Sequence, residues 1–122
     1  MKIALPVNNN HLDAGISHAF GRAPFFLFYD TETGEEEYVS NRSVGAPGGA
    51  GVSAAQQLAD SGIEVVLSPR CGQNAAQVLM AANIAVYVAE EESIQQSIDS
   101  FTRGELKPLV PGQPGVNKFR RP

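Results

Sequence analysis

The sequence predicts one α/β domain built on a five-stranded mixed sheet, and three observations carry that expectation. From residue 50 onward, alanine-rich helical stretches alternate with short β-branched runs, which is the pattern of crossover units. Before them, two strand-like runs are separated only by Thr31-Glu32-Thr33-Gly34, a turn, so they read as a hairpin. Between hairpin and crossovers lies Gly45-Ala46-Pro47-Gly48-Gly49-Ala50-Gly51, too rich in glycine for a helix interior or a packed strand, and therefore a loop.

Taken in order, residues 2–7 form a buried strand stopped by Pro6 and the Asn8-Asn9-Asn10 cluster. A polar loop holding both histidines, His11 and His18, runs to Gly21. Residues 23–30, with Phe25, Phe26, Phe28 and Tyr29, make the second strand, and Glu35 to Asn41 return as the third. The run Glu35-Glu36-Glu37 is the charge that protects an edge strand rather than a metal site. After the glycine loop, a helix starting near Val52 places Val52, Ala55, Leu58 and Ala59 on one face and ends at Gly62. Ile63 to Ser68 is the fourth strand, and the loop Pro69-Arg70-Cys71-Gly72 leads into a helix from Gln73 to Asn83, a residue type that tolerates the left-handed conformation. Ile84 to Ala89 is the fifth strand, and Ser93 caps a third helix carrying Ile94, Ile98 and Phe101 on one stripe. Residues 107–122 are rich in Pro and Gly with a basic end (Lys118, Arg120, Arg121), so the domain is expected over 1–106 with a loosely held tail beyond it, although Leu106, Leu109 and Val110 are available to pack.

Right-handed crossovers give the strand order 3-2-1-4-5, with strand 2 antiparallel to strand 1. Strands 1, 3, 4 and 5 then point the same way, and the loops that follow them emerge on one edge, where open α/β sheets bind their ligands. Topology thereby gathers His11, His18, Arg22, the glycine-loop amides, Arg70 and Cys71.

Composition narrows the function. A length of 122 residues with 43% apolar and 18% charged residues suits one globular domain, and a net charge of -4 argues against a general binder of nucleic acid or anionic membranes. No apolar run approaches the roughly 18 residues of a membrane span, and the N-terminal run is cut by Pro6 too soon for a signal peptide, so a cytoplasmic location is expected. The single cysteine, Cys71, is buried filler, a reactive thiol or one metal ligand among several; the neighbouring Arg70 and the helix that follows would favour its thiolate. The glycine loop opening a helix points unpaired amides of Gly48, Gly49 and Gly51 and the positive end of the helix dipole at whatever lies in front, which favours an anion. Its spacing is neither a phosphate-loop signature nor a dinucleotide fingerprint. Arg22 and Arg70 either neutralise that anion or pair with nearby carboxylates. No nucleophile, base and orienting group can be assembled from these residues, so an enzyme is not expected.

Three segments in this order, Phe20-Gly21-Arg22-Ala23-Pro24-Phe25-Phe26, Gly48-Gly49-Ala50-Gly51-Val52-Ser53-Ala54-Ala55 and Cys71-Gly72-Gln73-Asn74-Ala75, resemble the dinitrogenase iron-molybdenum cofactor biosynthesis family of NifX-like small proteins, over about residues 1–106. The resemblance implies a ribonuclease-H-like three-layer fold without nuclease activity. It also implies a carrier role for a labile iron–sulfur cluster or iron-molybdenum cofactor precursor, with cofactor-assembly proteins as partners and the chain a monomer or weak homo-oligomer. The first strand carries no carboxylate for two-metal phosphodiester cleavage, in keeping with the lost nuclease chemistry. On this resemblance Cys71 and His18 are the candidate metal ligands, and Gly48, Gly49, Gly51, Arg22 and Arg70 the candidate cofactor-binding residues. Many relatives have a histidine where this chain has Ala19, and His18 stands one residue earlier; Gln73 stands where proline is common. The alternative is an interaction or regulatory domain that binds a small organic anion or a partner protein at the same edge without metal.

Overall fold

A computed structural model describes residues 1–90 and 92–109. Six strands alternate with three helices: β1 (Lys2–Val7), β2 (Phe25–Asp30), β3 (Glu36–Ser40), α1 (Ala50–Asp60), β4 (Val65–Ser68), α2 (Gln73–Ala81), β5 (Ala85–Val88), α3 (Ile94–Thr102) and β6 (Lys107–Pro108). They form one sheet of order β3-β2-β1-β4-β5-β6. β2 is antiparallel to β1 and β3, whereas β4 runs parallel to both β1 and β5. The expected five strands are therefore one too few. Lys107 and Pro108, placed in the tail from their composition, pair antiparallel with Val88 and Tyr87, and the Leu109 N–H donates to the Val86 carbonyl at 2.8 Å. A strand this short has no alternation to read, and its proline is tolerated because it lies on an edge. Residues 110–122, and with them Val110 and the basic end of the tail, lie outside the described residues.

The sheet separates two cores. On one face Ala54, Ala55 and Leu58 of α1 and Ala75 and Leu79 of α2 pack on Ala4, Phe26, Phe28, Val66 and Val86. On the other, Ile94, Ile98 and Phe101 of α3 cover Leu5, Val65, Leu67 and Tyr87. The stripe on α3 is the expected one. On α1 the expected Ala55 and Leu58 are fully buried and Ala59 packs against the same core, but Val52 is 39% exposed, and Ala50, Ala54 and Gln57 are buried beside them.

Helix ends follow local chemistry. Gly62 and Asn83 both take positive φ just after α1 and α2, as the left-handed stop requires. Ser93 Oγ accepts from the Gln96 N–H at 3.2 Å and caps α3. The N-caps of α1 and α2 are glycines, Gly49 and Gly72, which have no side chain with which to do the same. Within the sheet, β1 pairs with β4 only through Ile3 and Ala4 although it continues to Val7. Pro6 has no N–H to extend that ladder, and its carbonyl instead accepts from the Ser17 N–H at 2.8 Å, which starts the loop toward the site.

Candidate functional site

Small residues bring the two glycine-capped helix ends together. A Cβ on Gly51 would lie 3.4 Å from the Ala75 Cβ, so α1 and α2 approach at their first turns with almost nothing between them. The segment Phe20–Arg22, a single 3-10 turn, closes the third side. Its fit is tighter still: a Cβ on Gly21 would come within 2.5 Å of the Gly51 nitrogen and 2.7 Å of its Cα. Between these three pieces is an open cavity of about 540 Å³ lined by residues 18–22, 49–52 and 70–75.

The lining contains Arg22, Arg70 and His18 and no carboxylate. On a chain whose net charge is -4, the cavity is a local concentration of positive potential. The first-turn amides of α1 (Ala50, Gly51, Val52) and α2 (Gln73, Asn74, Ala75) have no intrahelical acceptor, and the glycine caps supply none. Both dipoles present their positive ends here. Arg22 Nη1 donates to the Val44 carbonyl at 3.2 Å, and the Arg70 carbonyl accepts from the Ser68 hydroxyl. Among the described residues neither guanidinium pairs with a carboxylate; the ion pairs there are those of the Met1 amine with Asp30 and Glu32, and of Arg103 with Glu105.

Of the residues singled out from sequence, His18, Arg22, Gly49, Gly51, Arg70 and Cys71 all line this cavity, and Gly48 does not. His11 is exposed elsewhere, at the start of another turn. Gly49 adopts φ 67 with open space around its missing Cβ, so its role is to turn the chain into α1. His18 is shared with a neighbouring cavity of about 470 Å³ that contains Asp13 and Glu92. Sequence reading missed two contributors. Gly72 is the N-cap of a second helix as Gly49 is of the first, though with an ordinary extended backbone, and the glycine-before-helix pattern was there to be read. Asn41 is 3% exposed, and nothing about a lone asparagine between a strand and a loop announced it.

Cys71 departs from expectation. Its sulfur packs half-buried against the core under α1 and α2, and this burial pushes the thiol pKa up to about 11. Desolvation outweighs Arg70 and the helix end, because Arg70 is exposed and its charge is shared with water. The expected thiolate is thus a thiol at neutral pH. With the pKa about two units above the ordinary 9.0, the thiolate fraction at pH 8 falls roughly a hundredfold below that of a free cysteine. Iodoacetamide should accordingly modify Cys71 about a hundredfold more slowly than a model thiol at pH 8, and the rate should keep rising up to about pH 11; a plateau near pH 9 would show an unperturbed thiol. Among the described residues no group of three His, Cys, Asp or Glu side chains is placed to hold a metal ion. Cys71 and His18 are the two such side chains in the cavity.

Comparison with known proteins places this arrangement. The family model described as dinitrogenase iron-molybdenum cofactor matches residues 1–104. The chain belongs to that family. An uncharacterized protein of Methanocaldococcus jannaschii is 34% identical over 110 residues, covering 88% of this chain and 90% of that one. The apo form of the orange protein from Desulfovibrio gigas superposes with a TM-score of 0.85 at 35% identity, over 93% of this chain and 95% of its own. A candidate NifB protein from Thermotoga, solved by NMR, gives a TM-score of 0.77 at 35% identity, over 88% and 92%. The dinitrogenase cofactor family match spans all three walls of the cavity, and no helix among the described residues is long and apolar enough to cross a membrane.

Proposed function

We propose that this member of the dinitrogenase cofactor family is a non-enzymatic cytoplasmic carrier of an anionic iron–sulfur cluster, of the iron-molybdenum cofactor type or a precursor of it. It exchanges this cargo with cofactor-assembly proteins. The observation that carries the reading is the cavity lined by two glycine-capped helix ends, Arg22 and Arg70, with no carboxylate, on an acidic chain. Amides fixed in place and two guanidinium groups bind a delocalised polyanion without reorganising. Family membership supplies the chemical class, and the name and apo form of the orange protein agree with a removable coloured cargo.

The donor set fits a guest that arrives with most of its own ligands. Iron–sulfur centres enclosed by protein usually take about four side-chain ligands, and this cavity offers Cys71 and His18. Cys71 would first have to exchange its proton for metal, because burial holds it as the thiol. Electrostatic capture therefore comes first and coordination by Cys71 or His18 second, which makes the cargo labile. Anaerobic reconstitution with iron and sulfide tests this. Protein separated by gel filtration should carry visible absorption bands that fade on dilution or in high salt, and a colourless product that still shifts the amides of Ala50 and Gln73 with organic anions would identify the metal-free alternative. Absence of both would end the reading.

A further inference from the structure

We infer that Asn41, which does not line the cavity, is the positioning residue that holds Arg22 in it. This rests on the anion-site reading above and deepens it. Asn41 follows β3 and is buried, 3% exposed. Its Nδ2 donates to the Gly21 carbonyl at 3.0 Å and to the Ala23 carbonyl at 2.9 Å. Those are the residues on either side of Arg22. Its Oδ1 accepts from the Ser43 N–H at 2.9 Å, one residue before the Val44 carbonyl on which the Arg22 guanidinium rests. The main chain adds two more ties, Asn41 N–H to the Pro24 carbonyl at 3.1 Å and Val44 N–H to the Asn41 carbonyl at 3.4 Å. One carboxamide thus fixes the peptide that enters Arg22, the peptide one residue beyond it between Ala23 and Pro24, and the loop that supports its head.

The opposite side is fixed by contact. Gly21 already sits where a Cβ would overlap the α1 backbone, so the segment cannot move inward, and the Asn41 bonds keep it from moving outward. Both Nδ2 donors are used, and a buried amide satisfied in this way has no competing partner in water. Arginine side chains lose much rotamer freedom when they bind, and a guanidinium already aimed loses less. Asn41 therefore sets affinity for the anion through Arg22 rather than by touching it.

The test uses inorganic pyrophosphate as the probe, titrated against the full chain and followed by the amide resonances of Ala50–Val52 and Gln73–Ala75. Asn41→Ala is expected to weaken binding about tenfold, the loss of roughly one charge-assisted contact. In the Arg22→Gln background the same change should add nothing, because the double-mutant cycle then has no arginine to position. A folded Asn41→Ala variant that binds as well as wild type overturns the inference, and so does an equal loss in both backgrounds, which marks general loosening. If Asn41→Ala does not fold, Asn41→Ser and the order parameter of the Arg22 Nε–H decide. That group should be more ordered than its counterpart in Arg42 in wild type and should lose order in the serine variant; an Arg22 as free as Arg42 in wild type overturns the inference. Wild-type protein that ignores pyrophosphate would remove the anion-site reading, while the Arg22 relaxation data would still decide what Asn41 does.

Discussion

Gly21→Ala should lower the melting temperature by roughly 10 °C, the largest effect expected of a Gly→Ala change at any described glycine. The added Cβ would stand 2.5 Å from the Gly51 nitrogen, 2.7 Å from its Cα and 2.9 Å from the Ala50 carbonyl carbon. All three are backbone atoms of the first turn of α1, a helix anchored by the fully buried Ala54, Ala55 and Leu58, so the obstacle cannot rotate away as a side chain could. Overpacking of this kind costs about 2–3 kcal/mol, and a domain of this length loses around 4 °C per kcal/mol. Gly51→Ala is the matched control, since its Cβ would meet only the Ala75 methyl at 3.4 Å while gaining helix propensity. It should melt within about 3 °C of wild type. If the two variants melt alike, the close approach of residues 20–22 to α1 is not real.

Reversing both cavity arginines, Arg22→Glu together with Arg70→Glu, should abolish anion binding, with at least a hundredfold loss for pyrophosphate or for a reconstituted cluster. Each charge-assisted hydrogen bond contributes on the order of 1.5–3 kcal/mol, so the removal of two already accounts for a hundredfold. The new carboxylates then repel the guest, and that repulsion should weaken as salt is raised. Stability should hardly change, because both side chains are exposed and neither pairs with a carboxylate among the described residues. Cys71→Ser should cost less than this reversal if capture is electrostatic. Binding within threefold of wild type after the double reversal would refute electrostatic capture.

Much of the architecture was legible because each element announces itself within a few residues. Gly62, Asn83 and Ser93 do at the helix ends what their backbone and side-chain chemistry suggested, and the hairpin and parallel crossovers follow from spacing. β6 was not legible, since a two-residue edge strand owes its existence to the open side of β5 rather than to its own pattern. At the site, topology was enough to bring Arg22, Arg70, His18 and Cys71 to one edge, because that depends only on strand direction. The protonation of Cys71 was not, because it depends on how far its half-buried side chain packs against the core, a property of packing. Asn41 was hidden for the same reason: its partners Gly21, Ala23 and Ser43 are close in space, and two of them are distant in sequence.

Glycine at position 72 is not demanded by the backbone. Its φ of -58 and ψ of 154 suit any residue, and a Cβ there would meet nothing within 4 Å. A serine or aspartate would cap α2 and add roughly a few tenths of a kcal/mol over glycine, but its oxygen would occupy the amides that the proposed guest needs. The helix has in effect left its own cap to be supplied by another molecule. On the carrier reading the loaded and empty forms then differ in durability as well as in content, since whatever binds only the folded state stabilises it in proportion to its occupancy. An empty carrier opens more often at this end and is the form a protease meets first, so cargo shortage would be read out as faster turnover of the protein itself.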